Sequence, residues 1–494
     1  MLRRSWRTAL ILLVLVLAAA ACGGDGENEG SGEDLPGADL GGGTENAAAS
    51  TENGGGGGGA ADGEAVNISI IENAVRGGKN AATAAWLLED VIPAFEQRMA
   101  DEGQNVTVEL VEGGTGDDDY KTRLALDLRV GEGADIMGFD QFWLSEFNAA
   151  GYLAPLEEIV GPQVSDWEGW DAIPEAVQGS LVLEDQRYGI PFGTDGRVLF
   201  FRKDVFEQAG LPTDWQPESW QDILEAGRTI QQAMPDVVPL QFNAGQSMGE
   251  ATTLQGFVPI LLGTGVELYE GQWQGNTEGL QQALGFFDTV YSEGLGDADL
   301  QLRGDARDRT FEMFANGQIG VLAESDYLWR SVIAPEEGLF PVQNRDEVIG
   351  YAKIPAMEPG AGIRDEDFVS ASGGTGRVMN PNTQHPEIAW EFLKELGSQE
   401  AVQAFVEREP RITARTDVNE QALEGQPMLS FVAEEVLPVT WYRPGFQEYP
   451  QVSEVIQQTV EDVVADRSAV DAAAQAYEQA LIEIVGQENV GGGQ

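Results

Sequence analysis

The sequence contains almost no cysteine or histidine. Its 494 residues include one cysteine, Cys22, and one histidine, His385. A single cysteine forms no disulfide within the chain and no cysteine-based metal cage. Because His385 stands directly before a proline in a loop context, we interpret it as a surface residue. Catalysis by Ser-His-Asp, Cys-His or several zinc-bound histidines therefore loses its support, and we expect no metal and no cofactor.

Cationic residues are also scarce. The chain has 28 lysines and arginines against 83 aspartates and glutamates, and its formal net charge is −55. An acidic surface of this strength repels nucleic acid, so we expect no nucleic-acid partner. The same balance is typical of proteins that stay soluble in high salt, and we hypothesise a salt-adapted source. Equal stability of the protein in millimolar and molar salt would contradict that hypothesis.

The first residues have the pattern of an export signal. Three arginines precede an apolar run over residues 10–17, which is too short to span a membrane comfortably. Small residues then lead to Cys22, in an order that resembles a bacterial lipobox, although Ala19 stands where leucine is usual. We predict a signal peptide over residues 1–21 and lipidation of Cys22. An uncleaved membrane anchor is the alternative, and it also places the body outside the cytoplasm.

A tether is predicted to follow the lipidated cysteine. Residues 22–65 consist largely of glycine, alanine, asparagine and acidic residues, as in "NGGGGGGAADGE". This composition cannot bury enough apolar surface to fold, so we predict a disordered, self-repelling linker. A lipid anchor and a long tether suggest a large body that stays near the membrane yet reaches solutes. We expect that body to be a monomer.

Strand and helix patterns alternate at the start of the body. Apolar periodicity predicts strands over residues 66–71, 106–112 and 134–140, and helices over residues 83–102, 117–133 and 141–156. This alternation predicts an α/β fold with a mostly parallel sheet that is covered on both faces. Ligands of such sheets bind beyond the carboxyl ends of the strands. Those ends are Glu72 with its neighbour Asn73, residues 113–115, and Asp140 with its neighbour Gln141.

A second region follows the stretch "YGIPFGTDGRVLFFRKDVFEQAGL". It has predicted helices over residues 219–233, 252–265, 280–294, 386–407, 452–464 and 469–485, and a strand over residues 318–323. The sequence "SASGGTGRVMNP" predicts a strand, a turn and a second strand. The two "GGTG" copies, at Gly113 and Gly373, lack a dinucleotide or phosphate-loop pattern, so we interpret them as turns or as close approaches to a ligand.

Aromatic residues stand beside an arginine in "TWYRPGF". Trp441, Tyr442 and Arg443 precede a proline in a loop context. Sugar recognition needs this combination, because apolar sugar faces stack on rings while arginine and carboxylates bridge hydroxyls. The remaining tryptophans lie near predicted element ends, where a place in the core is the more common role.

The body resembles the bacterial extracellular solute-binding proteins of ABC importers, in the sugar-binding group. The resemblance covers residues 66–485. Five stretches carry it in the family's order: residues 122–158, "YGIPFGTDGRVLFFRKDVFEQAGL", "TFEMFANGQIGVLAESDYLW", "SGGTGRVMNPNTQHPEIAWEFLKEL" and "EREPRITAR". The resemblance implies a type II periplasmic-binding-protein-like α/β fold, with two lobes, a multi-segment hinge and a cleft between the lobes. It places residues 66–194 and about 371–425 in lobe 1, and residues 195–370 and about 426–490 in lobe 2.

The trehalose/maltose subgroup is the nearest, and its pattern implies a set of ligand-binding residues. Position by position these are Glu72, Asp140, Asp195, Glu250, Gly373, Gly374 and Arg443, with Trp441 from the same loop. One departure stands at residues 324–327, where "ESDY" replaces an Asn-Trp-Pro-Tyr stretch. Because Ser325 replaces the stacking tryptophan, we expect Tyr327 or Trp329 to take over the stacking. The added acids make an amino sugar or another cationic solute an alternative ligand.

The resemblance implies a non-enzymatic lipoprotein that captures a sugar, a di- or oligosaccharide, by hinge closure and delivers it to a membrane permease. Three alternatives stay open. A secreted glycoside hydrolase would use paired cleft carboxylates such as Asp140 and Asp195. An adhesion module would bind no small ligand. The third is local, because Asp195 either faces the ligand at the base of the cleft or only caps a backbone turn.

Overall fold

The structure is a computed structural model that describes residues 65–183, 185–336 and 338–492. The predicted signal peptide, the lipidated Cys22 and nearly all of the predicted tether lie outside the described residues. Within the described ranges, no helix is long and apolar enough to cross a membrane.

Strands and helices alternate through most of the described chain. The strands are Val66–Glu72, Val106–Glu112, Ile136–Asp140, Val182–Leu183, Gln186–Arg187, Gly189–Thr194, Arg197–Arg202, Val238–Gln241, Trp273–Gln274, Ile319–Ser325, Ile349–Ala352, Ile354–Pro355, Phe368–Ser372, Gly374–Met379, Thr440–Tyr442 and Val490–Gly491. The longer α-helices are Ala81–Trp86, Ile92–Asp101, Asp117–Arg129, Leu144–Ala149, Lys203–Ala209, Trp220–Ala233, Glu278–Ser292, Ala306–Ala315, Pro386–Leu396, Gln399–Arg408, Thr416–Ala422, Tyr449–Val464 and Val470–Val485.

The first sheet has five strands and defines lobe 1. Their order in space is Val106–Glu112, Val66–Glu72, Ile136–Asp140, Gly374–Met379 and Gly189–Thr194. The first three run parallel, as the alternation predicted. Gly374–Met379 is antiparallel to both of its neighbours. The sheet is therefore mixed, because a strand from late in the sequence lies antiparallel between two earlier strands.

Lobe 2 is built on two smaller sheets. One has the order Ile349–Ala352, Arg197–Arg202, Ile319–Ser325 and Val238–Gln241. The other has the order Ile354–Pro355, Phe368–Ser372 and Thr440–Tyr442. The apolar run after Asp195 lies in the first of these sheets, where Leu199 and Phe201 enter one core cluster and Val198 and Phe200 enter another. Successive side chains of a strand point to opposite faces, so a continuous apolar run is what a sheet covered on both faces requires.

The chain crosses between the lobes at three places. It leaves the lobe 1 strand at Thr194 and begins the lobe 2 strand at Arg197. It returns at Gly373, between Phe368–Ser372 and Gly374–Met379. These two strands belong to different sheets, so the predicted strand–turn–strand is a crossing and not a hairpin. At the third place, Ala422 packs in lobe 1 and Met428 packs in a lobe 2 cluster, which Ile412 already touches earlier in the same segment.

Candidate functional site

A cavity of about 840 Å³ lies between the two lobes. Lobe 1 contributes the carboxyl ends of its parallel strands, including Glu72, Gly114 and Asp140, as the strand ends predicted. Lobe 2 contributes Glu250 and Arg443 from the opposite side. The volume falls within the range of small-molecule sites, and polar side chains converge on it from both lobes.

Arg443 joins the two lobes at one end of the cavity. Its Nη1 lies 3.2 Å from Glu250 Oε1, and its Nη2 lies 3.2 Å from Asp140 Oδ1 across the cleft. The guanidinium also lies 4.2 Å from the ring centroid of Phe142, a lobe 1 residue. Glu250 accepts further hydrogen bonds of 2.6 Å from the hydroxyls of Tyr449 and Ser453. Since Arg443 has two carboxylate partners, the structure holds its charge in place from both lobes.

The Asp195 carboxylate ties two of the crossings together. Its Oδ1 accepts a 2.8 Å hydrogen bond from the Gly373 backbone N–H and an ion-pair contact from Arg197. The hydroxyl of Thr194 donates to the Gly373 carbonyl at 3.0 Å. The backbone of Gly373, which the resemblance assigned to the ligand, thus makes contacts within the hinge. Asp195 also lines the cavity. Its contacts with the Gly373 N–H and with Arg197 both use Oδ1.

The two aspartates of the cavity differ in their proton affinity. Burial raises the pKa of Asp140 to about 6, although Arg443 and the Phe142 N–H oppose the shift. Burial alone would also raise the pKa of Asp195. There, Arg197 and the Gly373 N–H outweigh burial and hold the pKa below its usual range. Asp195 is therefore ionised at neutral pH, while Asp140 titrates in the physiological range.

A second buried ion pair lies on the lobe 1 wall. Arg377 Nε donates to Glu72 Oε1 at 2.8 Å, and its guanidinium lies 4.2 Å from the ring centroid of Phe192. The residue beneath this pair has to be small, because a Cβ at Gly138 would lie 2.1 Å from Glu72 Oε2. Glu72 thus lies in the cavity wall, as the strand-end argument predicted, with a partner that the sequence did not reveal.

Two of the predicted ligand residues lie outside the cavity wall. Trp329 packs against Phe200 in a lobe 2 core, with near-parallel rings and the Arg345 guanidinium 3.9 Å from its centroid. Trp441 is buried in another core of lobe 2 and donates its indole N–H to Glu267 at 3.1 Å. Both rings are covered by protein, so the stacking expected of them has no surface to use. Tyr327, Gly373 and Gly374 do line the cavity.

The acids of the "ESDY" stretch do not face the cavity either. Glu324 and Asp326 are fully buried, and each lies beside an arginine. Arg307 Nη2 lies 3.5 Å from Glu324, and Arg330 Nε lies 3.1 Å from Asp326. Because these arginines balance their charge, the two acids give no support to a cationic ligand.

Sequence reasoning missed most of the cations in the wall. These are Lys79, Arg197, Arg307, Arg330, Arg377 and Arg411. A signal was present, because basic residues are rare in this chain and three of these arginines stand in the quoted crossing stretches "TDGR", "GGTGR" and "EREPR". Together with the carboxylates and the rings, they form a wall with both hydrogen-bond donors and acceptors, the combination that a hydroxyl-rich molecule can satisfy. No cluster of histidine, cysteine and acidic side chains suited to a metal ion occurs in the described ranges.

Known proteins share this architecture. The model of the family named bacterial extracellular solute-binding protein matches residues 77–403, which is more than half of the chain. A relative from Brucella abortus (strain 2308) is named as a binding protein, and its name specifies no ligand. It is 22% identical over 432 residues, which cover 84% of this chain and 91% of the relative. The arabinooligosaccharide-binding protein of Halalkalibacterium halodurans is 24% identical over 319 residues, which cover 62% of this chain and 63% of that protein.

A solved structure agrees with the family match. The ABC transporter solute-binding protein of Thermotoga lettingae TMO, bound with alpha-D-tagatose, is 24% identical and superposes with a TM-score of 0.70. The similarity covers 85% of this chain and 100% of that one. It shows the type II binding-protein fold with two lobes and an interlobe cleft. The chain therefore belongs to the family of bacterial extracellular solute-binding proteins.

Proposed function

We propose that this protein is the extracytoplasmic substrate-binding lipoprotein of an ABC importer, and that it captures a sugar in the interlobe cavity. One observation carries the proposal: carboxylates and guanidinium groups from both lobes face a single cavity of about 840 Å³ in a fold of this family. Relatives and structural neighbours named for arabinooligosaccharide and tagatose binding support a carbohydrate ligand. The volume suits a di- or oligosaccharide better than a single small ion.

The ligand would be held by the paired charges of the wall. Asp140, Glu250 and Arg443 would exchange part of their mutual contacts for hydrogen bonds to sugar hydroxyls. Asp195 would add its second oxygen, and Tyr327 would supply an apolar ring face. Glu72, Gly373 and Gly374 would shape the wall around the sugar, because each lies on the cavity surface. Ion pairs of this kind keep a charged group oriented before the ligand arrives.

Hinge closure is the proposed mechanism of capture. The Arg443 contact to Asp140 joins the lobes, and the three crossings form the hinge. A ligand that contacts both lobes binds the closed arrangement more tightly and so shifts the population towards it. The closed protein would then dock on a membrane permease as a monomer, tethered by lipid on Cys22. Conversion of Cys22 to serine should release the protein from the membrane fraction, and retention there would contradict the lipid anchor.

The experiment that tests this function is calorimetric titration with a panel of mono-, di- and oligosaccharides. We expect at least one sugar to bind the wild type and to lose affinity in D140A, D195A and R443A. Each lost charge-assisted bond should cost about 1.5–3 kcal/mol. R228A is the matched control, because Arg228 pairs with Glu293 on the surface, away from the cavity wall. Normal binding by all three cavity variants would refute this site.

The same panel separates a binding protein from a glycoside hydrolase. The divergent pKa values of Asp140 and Asp195 are the pattern that an acid and a nucleophile would show. We propose that the protein is not an enzyme, because both carboxylates are committed to arginine partners and to the hinge. Prolonged incubation with oligosaccharides should therefore leave them intact. Release of monosaccharide by the wild type and not by D140N would favour the hydrolase.

A further inference from the structure

Arg411 differs from the other cationic side chains in the described wall of the cavity. The others each pair with a carboxylate: Lys79 with Asp117, Arg197 with Asp195, Arg307 with Glu324, Arg330 with Asp326 and Glu409, Arg377 with Glu72, and Arg443 with Asp140 and Glu250. Arg411 lines the same cavity and makes no ion pair or hydrogen bond with any described residue. Its Nε atom is buried without a partner. The guanidinium therefore keeps its hydrogen-bonding capacity unused.

Aromatic rings fix the position of this guanidinium. It lies 5.3 Å from the ring centroid of Phe192 and 5.4 Å from that of Phe405. Its Nε faces Gly193, where a Cβ would stand 3.5 Å away. Arg411 stands two residues before Thr413, which bridges to Gly193 at the end of the lobe 1 strand that leads into the first crossing, so Arg411 lies at the base of the cleft. The fold thus places an unpaired cation where a ligand would touch both lobes.

The acids near Arg411 have other partners. Both oxygens of Glu409 are engaged, one with Arg330 and the other with the hydroxyl of Ser331 at 2.9 Å. The two oxygens of Asp326 accept from the Gly196 N–H and from Arg330. Burial and the nearby Arg330 lower the pKa of Arg411 to about 10, which still leaves it charged at neutral pH. A cation that is partly buried without a carboxylate partner is costly, and this cost persists in a chain with 83 acidic residues.

We propose that Arg411 binds a carboxylate of the ligand, and that the ligand is therefore an acidic sugar. The inference rests on the proposed function and narrows it to one class of carbohydrate. Guanidinium and carboxylate groups match in planar, two-pronged geometry, and the two Nη groups of Arg411 are free to make such a pair. A single negative charge fits this place better than a phosphate dianion, because Glu409 and Asp326 stand near Arg411 and repel additional charge.

Calorimetric titration with matched sugar pairs tests the inference. The pairs are galacturonate with galactose, glucuronate with glucose, and digalacturonate with α-1,4-galactobiose, at neutral pH and constant ionic strength. We expect the wild type to bind an acidic member at least tenfold more tightly than its neutral partner. R411Q should remove about tenfold to hundredfold of that affinity, as for the loss of a charged hydrogen-bond partner. R129Q is the matched control, because Arg129 is an exposed arginine at the end of a lobe 1 helix.

The outcomes separate this inference from the proposed function. Equal or tighter binding of the neutral members by the wild type would overturn the acidic-sugar inference while the sugar-binding function stood. An acid preference that survives in a folded R411Q would also overturn the assignment to Arg411. Binding of no sugar, neutral or acidic, would overturn the proposed function itself. The wild-type comparison needs no variant, so the inference stays falsifiable even if R411Q fails to fold.

Discussion

Arg443 and Arg411 occupy the same cavity, and the fold treats them in opposite ways. Arg443 has a carboxylate from each lobe, and burial is outweighed there by Asp140 and Glu250, which raise its pKa. Arg411 has no such partner, and burial lowers its pKa. A guanidinium with two carboxylates joins parts of the protein, whereas one without a partner is a place for a ligand. In our proposals Arg443 joins the lobes and also contacts the sugar, whereas Arg411 selects for an acidic one.

Of the changes that test this comparison, replacement of Arg443 by alanine should have the largest effect, a loss of stability. The change leaves the half-buried Asp140 and Glu250 without their shared cation, and carboxylates that lose their partner in such a place are destabilised. We expect the free energy of unfolding to fall by about 3 kcal/mol. Denaturant titration of R443A measures the loss, with R228A as the surface control, for which we expect less than about 1 kcal/mol. A loss in R443A no larger than in the control would show that Arg443 does not join the lobes.

Replacement of Gly373 by alanine tests how closely the arginines pack at the crossing. A Cβ at this position would lie 2.6 Å from Arg443 Nη2 and 3.5 Å from Arg197 Nη2, so Arg443 has to move. We expect a loss of about 1–3 kcal/mol in stability, as in other overpacked sites. G304A is the control, because Gly304 also lines the cavity and a Cβ there meets no atom within 4 Å. Equal denaturation midpoints for the two variants would contradict the close packing.

The raised pKa of Asp140 predicts a pH dependence of binding. Its pKa is about 6, so the carboxylate becomes protonated as the pH falls from 7 to 5. If sugar hydroxyls donate to the ionised form, the affinity should fall about tenfold over this range. D140N should bind more weakly at pH 7 and lose most of the pH dependence. Calorimetry at pH 7, 6 and 5 measures both, and a flat wild-type profile would remove Asp140 from the set of ligand contacts.

The same shift has the opposite sign for folding. A carboxyl whose folded pKa lies above its unfolded value binds protons more readily in the folded protein. Asp140 therefore contributes more to stability as the pH falls from about 6 towards 4. Asp195 behaves in the reverse way, because its lowered pKa gives stability at neutral pH that is lost as the pH falls through that value. A loss of affinity at pH 5 would thus not mean that Asp140 destabilises the fold there.

Replacement of Trp441 by phenylalanine should have the smallest effect on the ligand. Its ring lies in a lobe 2 core and its indole N–H donates a hydrogen bond to Glu267. Loss of that bond should lower the free energy of unfolding by about 1 kcal/mol. Sugar affinity should change less than about twofold, although Arg443 stands two residues away. Calorimetry and denaturation of W441F measure the two quantities. A large loss of affinity with unchanged stability would restore Trp441 to the ligand site.

Apolar periodicity and strand ends predicted much of the architecture. Local apolar periodicity predicted the strands that begin at residues 66 and 106 and the helices that follow them. Each of these elements buries one or both of its faces, and the spacing of its apolar residues reflects that burial. Glu72 and Asp140, which stand at the strand ends where ligands are expected, both line the cavity. A strand over Gly374–Met379 was predicted, but its antiparallel pairing in the first sheet was not, because that pairing depends on contacts between distant parts of the chain.

The ion-pair partners were the part of the site that the sequence could not supply. Glu72 and Arg377 come from strands far apart in the sequence, and Asp140 and Arg443 are likewise separated by about 300 residues. Nothing local indicates such pairs. The tryptophans show the reverse error, since Trp329 and Trp441 were chosen by residue type and nearness to a motif. Whether a ring faces a cavity or a core depends on how its element packs, which only the folded chain determines.

The late strand Gly374–Met379 has a consequence for the order of folding. Its neighbours in the sheet end at Asp140 and Thr194, yet both must wait for a segment made after most of lobe 2. Long-range pairing of this kind delays the completion of a sheet during synthesis. The first lobe therefore cannot reach its final form while the chain is still emerging.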